Sequence, residues 1–357
     1  MERAGQWRVL VAGLGAIGGI TAAFLARAGV EVTAVDPWFE HVLAVRRNGL
    51  HLKSPDEEFD VKFPVLFPDE LPEGGRFDVV LLAVKSYDTE WLSRLLLPYL
   101  TPAGFIVSLQ NGINEPRLAA IAGAERVVGC VVHMNGSVFE PGQVTRFSSP
   151  RWSTYALGEL DGKPTARLEM LAELLSEIGE TEVTDQIYGE LWAKLGVNTM
   201  TNPLAGATRL TSRQLWTDAE LAPLVVRLAA ETVSVGSALG HRVAGVRPTG
   251  APEPLTPELL ADALRDGDAL AHATRILRAA GEARSGGREN PASLLQDVMK
   301  GRRTEIDYLN GEVVRQAHGL GRRVPANEAI IPVVKAVESH DLEPSRENAV
   351  EVLSRLG

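Results

Sequence analysis

The stretch from Arg8 to Val35 constrains this chain more than any other. An apolar, β-branched run, Arg8–Ala12 (RVLVA), passes directly into GLGAIGG and then into TAAFLARAG, whose helical periodicity stops at Gly29. A second apolar run, Val30–Val35, follows at once. Strand, glycine-rich turn, helix and strand in about 30 residues make a βαβ unit, which needs a parallel sheet to belong to. Further buried-strand runs come at Phe77–Val84 (FDVVLLAV) and Phe105–Leu109 (FIVSL), separated by the helix-like SYDTEWLSRLLLPYL. Alternation of this kind predicts a parallel sheet covered by helices on both faces.

From about residue 128 the pattern changes. VVGCVVHMNGSVF, QVTRF and TYALGEL read as further strands, expected to extend the sheet with antiparallel edge strands. After ARLEMLAELLSEIG the strand signals largely disappear, and from Tyr188 onward the sequence reads as helices. The expected architecture is therefore α/β, an N-terminal Rossmann-type doubly wound sheet with an all-helical C-terminal domain, divided near Asp185 into 1–185 and 186–357. Arg247–Pro257 and Gly281–Asn290 are rich in Pro and Gly and read as loops.

Composition excludes several classes. Of 357 residues 45% are hydrophobic and 23% charged, ordinary for a globular chain of roughly two domains and unlike collagen, a coiled coil or a disordered chain. With 36 Lys+Arg against 46 Asp+Glu the net charge is −10, which disfavours nucleic acid or an anionic membrane as partner. The single cysteine, Cys130, can form neither an internal disulfide nor a CxxC site and reads as a buried small apolar residue. The seven histidines are scattered, without HExxH or a close carboxylate cluster, so no metal is expected. No run approaches the ~20 apolar residues of a membrane span, and the opening MERAGQWRVL leads into a strand rather than a signal peptide. A cytoplasmic location is expected.

The glycine motif predicts a dinucleotide site. Gly13 permits the tight turn, Gly15 lets a pyrophosphate approach the backbone, and Gly18 lets helix and strand pack closely. Together with Leu14, Ala16 and Ile17 they place free N–H groups and the positive end of a helix beside the phosphates. Asp36, ending the second strand, would accept the adenosine ribose hydroxyls and repel a 2′-phosphate, which favours NAD(H). Its competing role is a turn residue before Pro37. Arg46 and Arg47 lie downstream and could reach a 2′-phosphate, so NADP(H) stays open.

Several segments resemble the ketopantoate reductase (2-dehydropantoate 2-reductase) family: GLGAIGG, LLAVKSYDT, SLQNGINE, ELWAKLGVNTMTNPLAG and NPASLLQDVMKGRRTEIDYLNGEVV, in family order from residue 13 to 314. The resemblance implies NAD(P)H-dependent reduction of a 2-keto acid, ketopantoate first among them, in the cleft between a Rossmann domain and a helical, dimerising domain. Reducing a ketone by hydride creates an alkoxide, so such a site needs an acid near the carbonyl oxygen and donors for the substrate carboxylate. Lys194, Asn198 and Asn202 are each four apart and share a helix face. The resemblance makes Lys194 the general acid and the two asparagines substrate ligands. For Lys194 the alternative is a solvated ion pair with Glu190. Pro203 disfavours helical geometry at Asn202, which is expected at a helix end or kink.

The same resemblance implies that Glu305 assists substrate binding and catalysis, against a surface ion pair with a neighbouring arginine. It implies that Ser293 bonds the substrate carboxylate, against a simple N-cap. Lys85 and Asn111 stand at the carboxyl ends of strands, where open α/β sheets bind ligands. Lys85 is implied to contact the cofactor, and Asn111 both the nicotinamide ribose and the substrate. Glu231 falls near a family glutamate but aligns loosely and stays outside the expected site.

Two features depart from the family pattern. Asp36 stands where members often carry a basic or neutral residue and use NADPH, which opens the alternative of an NAD-dependent dehydrogenase oxidising another 2-hydroxy acid or secondary alcohol. Residues 240–290 exceed compact members by on the order of 20 residues, more than a connection requires, and suggest a lid or an enlarged pocket. Trp152 and Tyr155 could add an aromatic wall, with core packing as the competing role. A third reading, an NAD(H) sensor without turnover, is disfavoured because Lys194, Asn198, Ser293 and Glu305 are all present.

Overall fold

The computed structural model describes residues 7–72, 74, 76–149, 153–284 and 290–356. Trp152, the first six residues and part of the expected loop at 281–290 lie outside the described residues. The chain forms two compact units, Met1–Ile187 and Tyr188–Gly357.

In the first unit the elements run β1 (Arg8–Ala12), α1 (Ala16–Arg27), β2 (Glu31–Val35), α2 (Phe39–Asn48), β3 (Leu50–Lys53), β4 (Glu58–Val61), β5 (Val65–Leu66) and β6 (Phe77–Leu82). They continue with α3 (Thr89–Leu96), β7 (Leu100–Ser108), α4 (Glu115–Ala122), β8 (Val127–Val132), β9 (Gly136–Ser137), β10 (Gln143–Arg146), β11 (Tyr155–Glu159), α5 (Ala166–Ser176) and β12 (Thr181–Val183). The main sheet has eight strands in the order β12-β11-β8-β7-β6-β1-β2-β5. Strands β8, β7, β6, β1, β2 and β5 run parallel to one another, and β11 is antiparallel to β8. In the central strand β1, Val9 and Val11 pack into one apolar cluster and Leu10 and Ala12 into another. That period-2 split is what a strand buried on both faces requires.

Two strand expectations are corrected. QVTRF does not extend the main sheet: β10 pairs with β3 and β9 in a separate four-stranded sheet of order β4-β3-β10-β9. The short strands β3 and β4, too polar to read as buried runs, supply the rest of it. Strand β8 is parallel to β7, so the antiparallel extension begins only at β11. Tyr155 is fully buried, its hydroxyl 3.0 Å from Thr21 Oγ1, so it belongs to the core rather than to a substrate wall. Cys130 is buried as well.

The second unit is built from α6 (Ile187–Thr208), α7 (Ser212–Thr217), α8 (Ala222–Ala238), α9 (Pro257–Ala263), α10 (Gly267–Ala283), α11 (Ser293–Met299), α12 (Asn310–Gly319), α13 (Pro325–Glu338) and α14 (Arg346–Ser354). Helix α8 is apolar nearly all round and buried accordingly, packing against α7, α9, α10, α12 and α13. Among the described residues no helix is long and apolar enough to cross a membrane. The Pro/Gly-rich stretch at 247–257 is tied at its root: Val246 and Leu255 are buried and exchange backbone hydrogen bonds of 2.9 and 2.8 Å. Residues 281–283, expected in a loop, close the last turn of α10.

Candidate active site

In the first unit the chemistry-bearing groups gather at the carboxyl edge of the sheet. Gly13 has φ +94°, and a Cβ there would lie 2.8 Å from Val84 Cγ1, so the turn admits only glycine. A Cβ on Gly18 would sit 1.8 Å from the Gly13 carbonyl oxygen. At Gly15, by contrast, an added Cβ would meet nothing within 4 Å. That open side, at the N-cap of α1, is the space a pyrophosphate occupies when it approaches a helix N-terminus, with the Ala16 and Ile17 N–H groups in the first turn. The residues present therefore fit a dinucleotide.

Leu14 departs from its expected part. Its side chain is fully buried and its N–H donates to Asp36 Oδ2 at 2.6 Å. Asp36 Oδ1 accepts the Trp38 N–H at 2.8 Å. The carboxylate thus joins the glycine turn to the start of α2, and the turn role once set against its ribose role is one that it performs. A carboxylate has about four lone-pair sites, so acceptor capacity remains for ribose hydroxyls. Arg46 is committed elsewhere: its Nε donates to the Val65 carbonyl at 2.7 Å, its guanidinium pairs with Glu70, and it lies over the Phe67 ring. Arg47 is exposed at the last turn of α2.

Lys85 and Asn111 lie on adjacent loops, after β6 and β7. Asn111 offers its carbonyl oxygen to Ser86 Oγ at 3.0 Å and to Asn114 Nδ2 at 2.9 Å. Close by, Glu115 opens α4 while only 1% exposed. Burial pushes its carboxyl up to about 7, opposed by hydrogen bonds from its own N–H, from Ser108 and from the Asn114 N–H. The same burial, together with the Glu115 charge, pushes the Cys130 thiol upward. Ser86, Gln110, Asn114 and Glu115 were missed by sequence reasoning. The available signal was the density of polar residues in SLQNGINE, wedged between an apolar strand and a helix.

In the second unit α6 carries Lys194, Asn198 and Asn202 on one face, the two asparagines buried. Lys194 is partly buried and has no ion-pair or hydrogen-bond partner among the described residues, so the pairing with Glu190 is not made. Desolvation lowers its ammonium to about 8. The expected helix end at Asn202 is also corrected, since α6 runs on through Pro203 to Thr208. A proline cannot donate to the carbonyl four residues back. That carbonyl, Thr199 O, instead accepts Asn310 Nδ2 at 3.4 Å. Asn310 in turn donates to Asn327 Oδ1 at 2.9 Å, and Asn327 Nδ2 to Glu231 Oε2 at 2.8 Å.

Glu231 also accepts the backbone N–H groups of Ala326 and Asn327, both at 2.9 Å. It closes the N-terminus of α13, and burial raises its carboxyl above the ordinary range. This internal polar chain offers a donor to the carbonyl that Pro203 leaves without one, and it holds the Glu231 carboxylate at the start of α13.

Glu305 is 2% exposed, which is not the setting of a surface pair. Its carbonyl accepts the Leu309 N–H at 3.0 Å, at the turn leading to Asn310, so the contact of Asn310 with Thr199 ties this segment to α6. Ser293 is the first residue of α11 rather than its N-cap, which is Ala292. Leu294 beside it lies against Gly206 of α6. Two separate segments are thus held near the Asn198–Gly206 part of α6.

The first unit has the order and glycine geometry of a Rossmann-type dinucleotide-binding domain, and the second is a helical bundle presenting a partly desolvated lysine beside buried amides. The family model described as ketopantoate reductase PanE/ApbA matches residues 9–162, and the one described as its C terminal matches residues 186–338. The chain belongs to the ketopantoate reductase PanE/ApbA family. A 2-dehydropantoate 2-reductase from Archaeoglobus fulgidus is 27% identical over 93% of this chain and 98% of its own length. The crystal structure of a PanE/ApbA family ketopantoate reductase from Ralstonia eutropha JMP134 is 27% identical with a TM-score of 0.73, covering 93% of this chain and 98% of that one. A D-mandelate dehydrogenase in ternary complex with NADH and anilino(oxo)acetate is 23% identical with a TM-score of 0.77, covering 94% and 99%.

Proposed function

We propose that this chain is an NAD(P)H-dependent 2-keto acid reductase that converts 2-dehydropantoate to pantoate, with Lys194 as general acid. The observation that carries the reading is the setting of Lys194: partly buried, without a protein partner among the described residues, lowered to about 8, and four and eight residues from two buried asparagine amides. Gly13–Gly18, Asp36 and Lys85 would hold a nicotinamide dinucleotide, which when bound would supply the hydride. Lys194 Nζ holds the proton that the new alkoxide oxygen takes, and at neutral pH it is charged yet close to releasing it. Asn198 and Asn202 donate to the acid's oxygens, Ser293 bonds its carboxylate, Glu305 holds the substrate hydroxyl and the lysine in register, and Asn111 contacts nicotinamide ribose and substrate.

NADH is the favoured cofactor. Asp36 is fixed as an acceptor beside the glycine turn while Arg46 is committed to Glu70 and Val65, so a 2′-phosphate would meet a negative charge without that cation. The same feature supports a second reading, NAD-dependent oxidation of a different 2-hydroxy acid, since the base for oxidation is the acid for reduction. A homodimer, a cytoplasmic setting and a place in pantothenate synthesis belong to the first reading. Steady-state turnover of ketopantoate with NADH and with NADPH, and of pantoate with NAD, tests both. Efficient reduction is expected, with NADH preferred. Failure in all three while NADH still binds would transfer the chain to the second reading.

A further inference from the structure

We propose that Ser86, Gln110 and Asn114 form a clamp between two loops that sets the separation of Lys85 and Asn111, which makes them positioning residues for the reaction. The proposal rests on the reading above, in which Lys85 contacts the cofactor and Asn111 the cofactor and the keto acid.

Strands β6 and β7 hold each other as far as Leu82 and Ser108, and one further bond, Leu109 N–H to Leu82 O at 2.8 Å, closes the ladder. Beyond it the chains carry Lys85 and Asn111 on separate loops. Two primary amides bridge them. Gln110 Nε2 donates to the Val84 carbonyl and to Thr89 Oγ1, both at 2.9 Å. Asn114 Nδ2 donates to the Asn111 carbonyl at 2.9 Å and to Ser86 Oγ at 3.2 Å.

The hydroxyls close the circuit in one direction. Ser86 Oγ donates to the Asn111 carbonyl at 3.0 Å, and Thr89 Oγ1 donates to the Ser86 carbonyl at 2.8 Å, which leaves each free to accept from an amide. Asn114 Oδ1 accepts Arg117 Nη1 at 3.2 Å, which fixes which end of that amide is the donor.

The four side chains are nearly inaccessible, Ser86 at 2%, Thr89 at 0%, Gln110 at 7% and Asn114 at 1%. Sealing a core would need only apolar groups here, and a buried polar network is retained at a desolvation cost unless every member is paired. What this one pins is specific. Both neighbours of Lys85, Val84 and Ser86, are gripped, and the Asn111 carbonyl is gripped twice. Hydride transfer needs reacting atoms at near-attack distance, so a shift of about 1 Å in either loop is expected to cost up to about 100-fold in rate.

Asn114→Asp is the sharpest test. Aspartate has the same shape, and because the Asn114 side chain makes no cap hydrogen bond to α4 the exchange removes no helix cap; circular dichroism and the melting temperature of the variant check that the fold is kept. It removes both N–H donors and sets a carboxylate against the Asn111 carbonyl. Gln110→Glu, also isosteric and lacking the donors to Val84 and Thr89, serves as the second variant. For Asn114→Asp we expect kcat for keto acid reduction to fall about 10- to 100-fold, KM for the keto acid to rise, and the Kd for NADH measured by fluorescence to change less than about threefold. Amide hydrogen exchange at residues 110–113 should accelerate, and Gln110→Glu should lower kcat in the same direction.

Unchanged kcat and KM, or a kcat loss matched by a loss of NADH-titrated sites at constant KM, would overturn the proposal. If the parent protein reduces no keto acid and oxidises no hydroxy acid, the functional reading fails. The clamp is then judged on exchange alone, and unaltered exchange at 110–113 in Asn114→Asp removes it.

Discussion

The two units put their chemistry together by different routes. In the first, the groups we propose to face the cofactor at the glycine turn are backbone N–H groups and the open side of Gly15, both set by six consecutive residues, Gly13–Gly18, and braced by one carboxylate at the end of the next strand. In the second, the groups proposed to meet the substrate are side chains drawn from α6, from the segment around Glu305 and from the start of α11. Those parts are held together by packing and by the buried chain from Thr199 through Asn310 and Asn327 to Glu231. A site made of backbone is written locally. A site made of side chains on a helical bundle is written in contacts between residues a hundred positions apart.

The largest expected effect separates the two routes directly. Lys194→Ala should lower kcat by about 100- to 10,000-fold, the range for loss of a general acid, while NADH binding measured by fluorescence stays near the parent. Near-normal turnover would remove the lysine from the chemistry. With the parent enzyme, the rate of reduction should fall as pH rises through about 8 while oxidation of the hydroxy acid rises, because Lys194 must be charged for one and neutral for the other.

Within the first unit, two glycine substitutions sharpen the contrast. Gly18→Ala puts a methyl group against the Gly13 carbonyl and should cost several kcal/mol of stability, on the order of an overpacked core site. Gly15→Ala meets only open space and should leave the melting temperature unchanged while weakening NADH by about tenfold or more. Equal effects on stability and binding at both positions would erase the distinction between a packing glycine and a ligand-facing one.

Asp36→Ala should narrow the ratio of NADH to NADPH efficiency by about tenfold, and it should also loosen the glycine turn because Leu14 and Trp38 lose their acceptor. An unchanged ratio in parallel assays would show that the ribose is read elsewhere. The smallest effect concerns Glu115, whose carboxyl is raised from 4.5 to about 7 by burial. The folded chain then keeps a proton that the unfolded chain releases. Stability should therefore fall as pH rises between those values, by at most about 3 kcal/mol. Glu115→Gln should flatten that slope and unfold at a higher denaturant concentration than the parent at pH 8.

Legibility followed the same division. The βαβ start and the parallel order were plain from apolar periodicity, since strands buried on both faces must be continuous apolar runs. The small sheet escaped notice because β3 and β4 are short and half-polar, and QVTRF could not reveal which sheet it would join. Helix α6 was expected to end or kink at Asn202, before Pro203, and it does not end there. It continues because Asn310, more than a hundred residues away, takes up the carbonyl that the proline leaves without a donor. The loop clamp was invisible for a related reason: Gln110 and Asn114 look like turn residues until Val84, Ser86 and Thr89 are placed beside them.

By itself the sequence determined the glycine-rich turn and its geometry, the α/β-then-helical order and the shared helix face of Lys194, Asn198 and Asn202, because each depends on local periodicity and sterics. Tertiary structure alone decided that Asp36 braces the turn, that Arg46 is committed to Glu70, that Glu231 caps α13, and that Lys194 is desolvated without a partner among the described residues. Each of these depends on what lies across a gap in the chain, and burial and hydrogen-bond partnership are properties of that neighbourhood rather than of the residue.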